Sequence, residues 1–269
     1  MFRSRRPGVA GFCYPAEPLA LREAARRMGG PRAACAPAVA VIAPHGSWQQ
    51  AERVLGAAFA GVRVPRRCII LGPSHAGAWS PSRIMVDGAY RTPLGEVPIE
   101  LRAAEALRAR CLFLHTDDRH AGEHAIEVVL PMLQQLGPAD LTVVPVILGA
   151  ATWQECSLLG QALAQVIRQQ EEPVLLVASA DWTHYEPEAI VRAQDAVLLE
   201  AAVKLDASRF WQETQSAGKV ICGAAPVAAM LDAARRLGAS TAAVAAYGTS
   251  ADTGGDPASA IGYAGVIIR

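Results

Sequence analysis

One pattern constrains this chain more than any other, and it occurs three times. A short apolar run rich in β-branched residues stops and delivers a histidine. The three copies are Val39-Ala-Val-Ile-Ala-Pro-His45, Cys68-Ile-Ile-Leu-Gly-Pro-Ser-His75 and Val174-Leu-Leu-Val-Ala-Ser-Ala-Asp181-Trp-Thr-His184. Runs of this length without polar alternation read as strands buried on both faces, as in parallel sheets. In open parallel sheets, ligands bind outside the carboxyl ends of the strands. Three histidines at such ends are therefore expected along one sheet edge, where they can converge on one site.

The remaining chain alternates strands with helices. Helical spacing covers Pro18 to Met28, Gln49 to Ala60, Glu100 to Arg110 and Glu123 to Leu136, the last with a kink or new start expected at Pro131. Thr152-Trp-Gln-Glu155 has the form of a capping box opening a helix to about Gln169. Pro187 to Val203, Asp206 to Gln215 (with Gly218 as breaker) and Cys222 to Leu237 read as further helices. Further strands are expected at Leu141 to Leu148, 241–247 and Tyr263 to Ile268, with two short ones at 84–97. The absence of an internal repeat or long linker predicts one α/β domain over 1–269, with a mostly parallel central sheet flanked by helices.

Composition narrows the classes. Hydrophobic residues make up 52% and charged residues 19%, enough for a substantial core. Basic and acidic residues balance at 25 each, without the basic stripe of a nucleic-acid binder. No apolar segment approaches a membrane span, and no apolar region follows Arg3, Arg5 and Arg6, so a cytoplasmic location is expected. Cys13, Cys35, Cys68, Cys111, Cys156 and Cys222 form no CxxC pair, and reduced thiols are expected.

Cys222 precedes a helix whose Pro226 suits the first turn, so a lowered thiol pKa is expected there. Two imidazoles plus one anion is a common donor set for a redox metal with open positions, and a thiolate shifts the expectation toward iron, copper or zinc. Each residue also has a plainer reading: a structural histidine, an inert thiol, a turn-forming Asp181. Trp48, Trp79, Trp182 and Tyr185 are candidates to wall a pocket for a flat substrate, with Glu123 and His124 beside them. If the helix begins at Glu123, then Glu123 and Glu127 share one of its faces. His115 and His120 read as a solvated loop, and Gly248 to Gly255 as a turn or an anion cradle.

Seven short motifs, in order, resemble the successive signatures of the Memo-like family, whose bacterial and archaeal members are called AmmeMemoRadiSam system protein B. They are Val9–Pro15, Ala43–Gly46, Leu71–His75, Thr92–Val97, Glu123–Glu127, Ser179–Tyr185 and Cys222–Pro226. The resemblance implies a fold similar to class III extradiol dioxygenases. It implies metal ligands at His45, His75 and Cys222, and an acid/base histidine at His184 with Asp181 beside it. Iron is the implied cofactor, with copper or zinc as alternatives. The chain departs from the family with Gly46-Ser47-Trp48 where Ala-Gly-Tyr is usual, with Cys13 in place of an aromatic, and with Gly248-Thr-Ser-Ala-Asp252 in the late loop.

Two functions follow as expectations. One is metal-dependent redox or oxygenase-type chemistry on a small organic substrate, without efficient catechol cleavage. The other is a non-catalytic protein that binds a peptide, a small ligand or a metal ion in the same cleft. The family name further implies radical-SAM and AMMECR-type partner proteins; neither nucleic acid nor membrane is expected as a partner.

Overall fold

A computed structural model describes residues 4–31, 34–75, 80–116, 119–215 and 221–269. Trp79 and Gly218 lie outside these residues. In chain order the elements are β1 (Ser4–Arg5), α1 (Pro18–Gly29), β2 (Ala40–Ala43), α2 (Trp48–Ala60), β3 (Arg67–Pro73), β4 (Arg83–Ile84), β5 (Ala89–Thr92) and β6 (Gly95–Pro98). They continue with α3 (Leu101–Arg110), α4 (Ala125–Leu136), β7 (Thr142–Leu148), α5 (Trp153–Arg168), β8 (Val174–Ser179), β9 (His184–Glu186), α6 (Glu188–Val203), α7 (Ala207–Thr214), α8 (Ala224–Arg236), β10 (Ala242–Thr249) and β11 (Ala260–Ile268).

The large sheet has the order β10-β11-β2-β8-β3-β7-β4. Its centre is parallel: β2 pairs with β8, β8 with β3, and β3 with β7. Their apolar runs are buried almost end to end, which is why they show no alternation. Antiparallel strands extend both sides of this centre, β11 and β10 beyond β2 and β4 beyond β7, so the whole sheet is mixed. Helices α2 and α4, with α1 on them, form one packed group; α8, flanked by α5 and α7, is central to another. Ile42, Ile70, Val144, Leu176, Val129 and Met230 belong to one continuous apolar core.

The strand order places the site. Strand β8 lies between β2 and β3, with Ala178 opposite both Ile42 and Leu71. All three run the same way, so the chain beyond Ala43, Pro73 and Ser179 emerges at one edge. His45, His75 and the 181–185 segment leave from there.

Several local expectations shift. The capping box at Thr152 and Glu155 is present, and Asp206 caps α7 through the Arg209 amide. Helix α4 begins at Ala125, two residues later than expected, and runs through Pro131 as one element. Glu123 is thereby freed from the helix face, and its carboxylate accepts the amides of His124 and Ala125 at 2.8 and 3.0 Å. His120 is buried rather than solvated: Nδ1 lies 2.8 Å from the Tyr90 hydroxyl, and its carbonyl accepts from Arg5. The Gly248–Gly255 segment turns the chain: Asp252 accepts the Thr249 amide and pairs with Arg192 at 2.7 Å. Among the described residues no helix is long and apolar enough to cross a membrane.

The N-terminal segment is anchored on α4 by one buried carboxylate. Glu127 accepts the amides of Gly8 and Val9 and the Tyr14 hydroxyl, and pairs with Arg5. Burial pushes its pKa up, but the bonds from Tyr14, Gly8, Arg5 and Val9 outweigh this and hold it below the usual glutamate range. Glu127→Gln strands a buried guanidinium and is expected to cost about 3–5 kcal/mol at neutral pH. Because the folded pKa is depressed, this contribution is complete above the unfolded value of about 4.3 and is lost as pH falls through the folded value. Urea melts of both proteins are thus expected to differ strongly at pH 7 and to converge in acid.

Candidate metal centre

His45 follows β2 through Pro44, which ends the strand without continuing its hydrogen bonding. Asp181, just past β8, accepts the amides of His45 at 2.8 Å and Gly46 at 3.2 Å and so ties the two strand ends together. The His45 ring is buried; Nδ1 lies 3.0 Å from the Ser179 hydroxyl and Nε2 lies 3.3 Å from the Cys222 sulfur. Burial, outweighing the attraction of Asp181, pushes its pKa down to about 4.

His75 is held differently. Both its amide and Nδ1 bond to the Glu123 carboxylate, at 2.6 and 2.7 Å. Burial raises the pKa of Glu123, but the bonds from His75 and the backbone amides prevail and bring it down to about 2. An ionised carboxylate only accepts, so Nδ1 of His75 carries the proton and Nε2 is left free. At His75 itself, burial lowers the pKa but is outweighed by the bond and the charge of Glu123, and the net shift is upward.

Cys222 arrives from the turn before α8. Its sulfur also approaches the Asp181 carbonyl at 3.5 Å, while Ile221 bridges to Thr183. Gly223 permits this approach. A Cβ there would fall 2.1 Å from the Ala180 Cβ and 2.7 Å from its Cα. The expected lowering of the thiol pKa is not found: burial, then the Asp181 charge, pushes it well up, and the helix begins only at Ala224. The thiol is therefore neutral until a cation offsets that penalty.

Donor atoms of His45, His75 and Cys222 all lie within 4.8 Å of one another. His124 joins them: its ring stacks on His75 at 4.5 Å and stands at right angles to His45 at 5.7 Å. His75, Glu123 and His124 form a second close group, but Glu123 already accepts three amides and an imidazole, so its carboxylate serves as a holder rather than a free ligand.

These groups open on a cavity of about 760 Å³, in the range of small-molecule sites. His184 lines it; its Nδ1 lies 2.5 Å from the Trp182 carbonyl, so Nδ1 donates and Nε2 is free to accept a proton. Asp181 lines it too, but it holds the 45–46 backbone and not His184. Tyr185 stands at the mouth, two-thirds exposed, at φ 59°, a left-handed conformation costly for a side-chain-bearing residue. Two expected wall residues are elsewhere. Trp48 is buried and donates from Nε1 to the Val128 carbonyl at 3.0 Å, pinning α2 to α4. Trp182 is buried edge-on against Phe210 at 5.8 Å. The aromatic that takes their place is Phe12, 86% exposed beside Cys13 on the cavity rim. No spacing signal pointed to it, because it sits in an irregular turn.

Gly223→Ala is expected to push the 221–223 turn off Ala180, costing about 1–3 kcal/mol as an overpacked contact. The same change is expected to lower the reactivity of Cys222 toward a cobalt(II) probe. Thermal melts and cobalt absorbance check both.

Comparisons with known proteins place the chain in a family. The family described as Memo-like protein matches residues 5–267. A MEMO1 family protein of Methanopyrus kandleri is 34% identical over 98% of this chain and 99% of its own length. One from Methanosarcina barkeri is 30% identical over 98% of this chain and 100% of its own. The crystal structure of an uncharacterized protein from Escherichia coli K12 shares the fold, with a TM-score of 0.56 at 16% identity, covering 86% of this chain and 99% of that one. On the extent of the family match and of these relatives, the chain belongs to the Memo-like family.

Proposed function

We propose that this protein is a metal-dependent redox protein acting on a small organic substrate, with His45, His75 and Cys222 holding the metal. The observation that carries the reading is the convergence of two imidazoles and one sulfur within 4.8 Å at the floor of a substrate-sized cavity. Two nitrogens and a soft sulfur suit iron or copper, and zinc is the redox-silent alternative. Such a cation, when bound, would supply Lewis-acid polarisation and, for iron or copper, one-electron chemistry.

The chain's own residues have separable tasks. Glu123 and Asp181 fix the positions of His75 and His45 before any ligand arrives. His184, with Nε2 free, accepts or returns a proton at the cavity wall. Tyr185 and Phe12 frame the entrance and narrow what enters. A thiolate in place of a hard carboxylate argues against ring cleavage of catechols, so protein loaded anaerobically with iron is expected not to turn over protocatechuate.

Elemental analysis of protein purified without chelator or nickel tests the reading. Near-stoichiometric iron or copper is expected, lost by more than tenfold in His45→Ala and in Cys222→Ala while circular dichroism is unchanged. Protein that stays metal-free after incubation with either ion contradicts it and favours a cleft that binds a ligand without chemistry.

A further inference from the structure

We propose that Ser179 is a positioning residue for the metal centre: its hydroxyl holds His45 in the tautomer that leaves Nε2 unprotonated toward Cys222. The purpose assigned to Ser179 rests on the metal-site reading above; the proton assignment does not.

Counting protons fixes the tautomer. A serine hydroxyl has a single proton to give and lone pairs to receive. Ser179 Oγ lies 2.6 Å from the Ala125 carbonyl, which can only accept, so the proton goes there. Toward Nδ1 of His45, 3.0 Å away, the same oxygen can then only accept. Nδ1 therefore carries the imidazole proton, and the Nε2 lone pair faces the Cys222 sulfur at 3.3 Å. Ser179 is fully buried and His45 nearly so, which leaves little room for solvent to offer an alternative partner.

The position suits the task. Ser179 is the last residue of β8, in register with Ala43 two residues before His45. Its side chain reaches across to the first residue of α4, so strand, helix and ligand loop are joined through one hydroxyl. The other imidazole is governed by the charged Glu123. A carboxylate at position 179 would add a third buried negative charge to those of Glu123 and Asp181, whereas a hydroxyl sets the tautomer without that penalty. The two histidines thus present the same nitrogen with different basicity, His75 being the stronger donor.

Removing the hydroxyl should reverse the preference. In Ser179→Ala, Nδ1–H has no acceptor. A proton on Nε2 instead faces the Asp181 carboxylate, whose oxygen lies 3.8 Å away, and the Cys222 sulfur. That tautomer blocks the lone pair a metal needs.

The test uses 15N-labelled, metal-free full-length protein and long-range proton–nitrogen correlation at the histidine rings, with cobalt(II) as the metal probe. The wild type is expected to show His45 protonated on Nδ1. Ser179→Ala is expected to shift His45 toward Nε2–H and to weaken cobalt(II) binding by about 10–100-fold. Ser179→Thr, which keeps a hydroxyl, is expected to restore the tautomer. A wild-type His45 protonated on Nε2 overturns the proposal, even if Ser179→Ala fails to fold. So does a folded Ser179→Ala with unchanged tautomer and cobalt(II) affinity. A wild type with the expected tautomer that binds no cobalt(II) defeats the metal-site reading and the purpose given to Ser179, but not the proton assignment.

Discussion

The bond that Nδ1 of His75 donates to the Glu123 carboxylate is where the site and the fold meet. Glu123 stands just before α4 and receives the first amides of that turn as well as the His75 amide. The next residues repeat the theme. His124 stacks on His75, the Ala125 carbonyl reaches His45 through Ser179, and Glu127 fixes the N-terminal segment that carries Cys13 and Phe12 to the cavity rim. One helical start therefore sets ligand orientation, tautomer and entrance. An error of an ångström there would be felt at every donor atom, because a ligand set is useful only when its lone pairs already point at one place.

The chemistry follows from an imbalance this arrangement maintains. His45 is buried, which pushes its pKa down to about 4, and Cys222 is part-buried, with its thiol pKa pushed well up. Neither is comfortable as an ion, and their shared neighbour Asp181 adds negative charge without reaching His184. A cation at their meeting point would offset the penalty on a Cys222 thiolate and take the lone pair of a neutral His45, whereas a neutral ligand does neither. This difference favours the proposed metal site over a cleft for a neutral ligand.

Much of this was legible in the linear chain. The three strand-to-histidine runs do end at one sheet edge as expected, because double burial leaves an unbroken apolar signature and parallel neighbours must end together. The parallel centre was readable on the same grounds. The antiparallel flanks were not, since β10, β11 and β4 carry no local mark of direction. Trp48 and Trp182 were misplaced because closeness in sequence to a ligand does not decide which side of the chain a large ring takes, and both found core instead. The Cys222 thiol was misjudged because a helix terminus is a weaker influence than burial. Ser179 escaped notice although it ends an apolar strand as its lone hydroxyl, a signal that gains meaning only once Ala125 and His45 are seen on either side.

The proposed centre requires that far-separated imidazoles and a single sulfur grip one ion together. X-ray absorption at the edge of a stoichiometrically bound iron or zinc ion measures that directly. The account predicts one sulfur scatterer at about 2.3 Å and two imidazole nitrogens at about 2.0–2.1 Å for zinc, with the sulfur contribution gone in Cys222→Ser. A spectrum fitted by nitrogen and oxygen alone in the unaltered protein would contradict it.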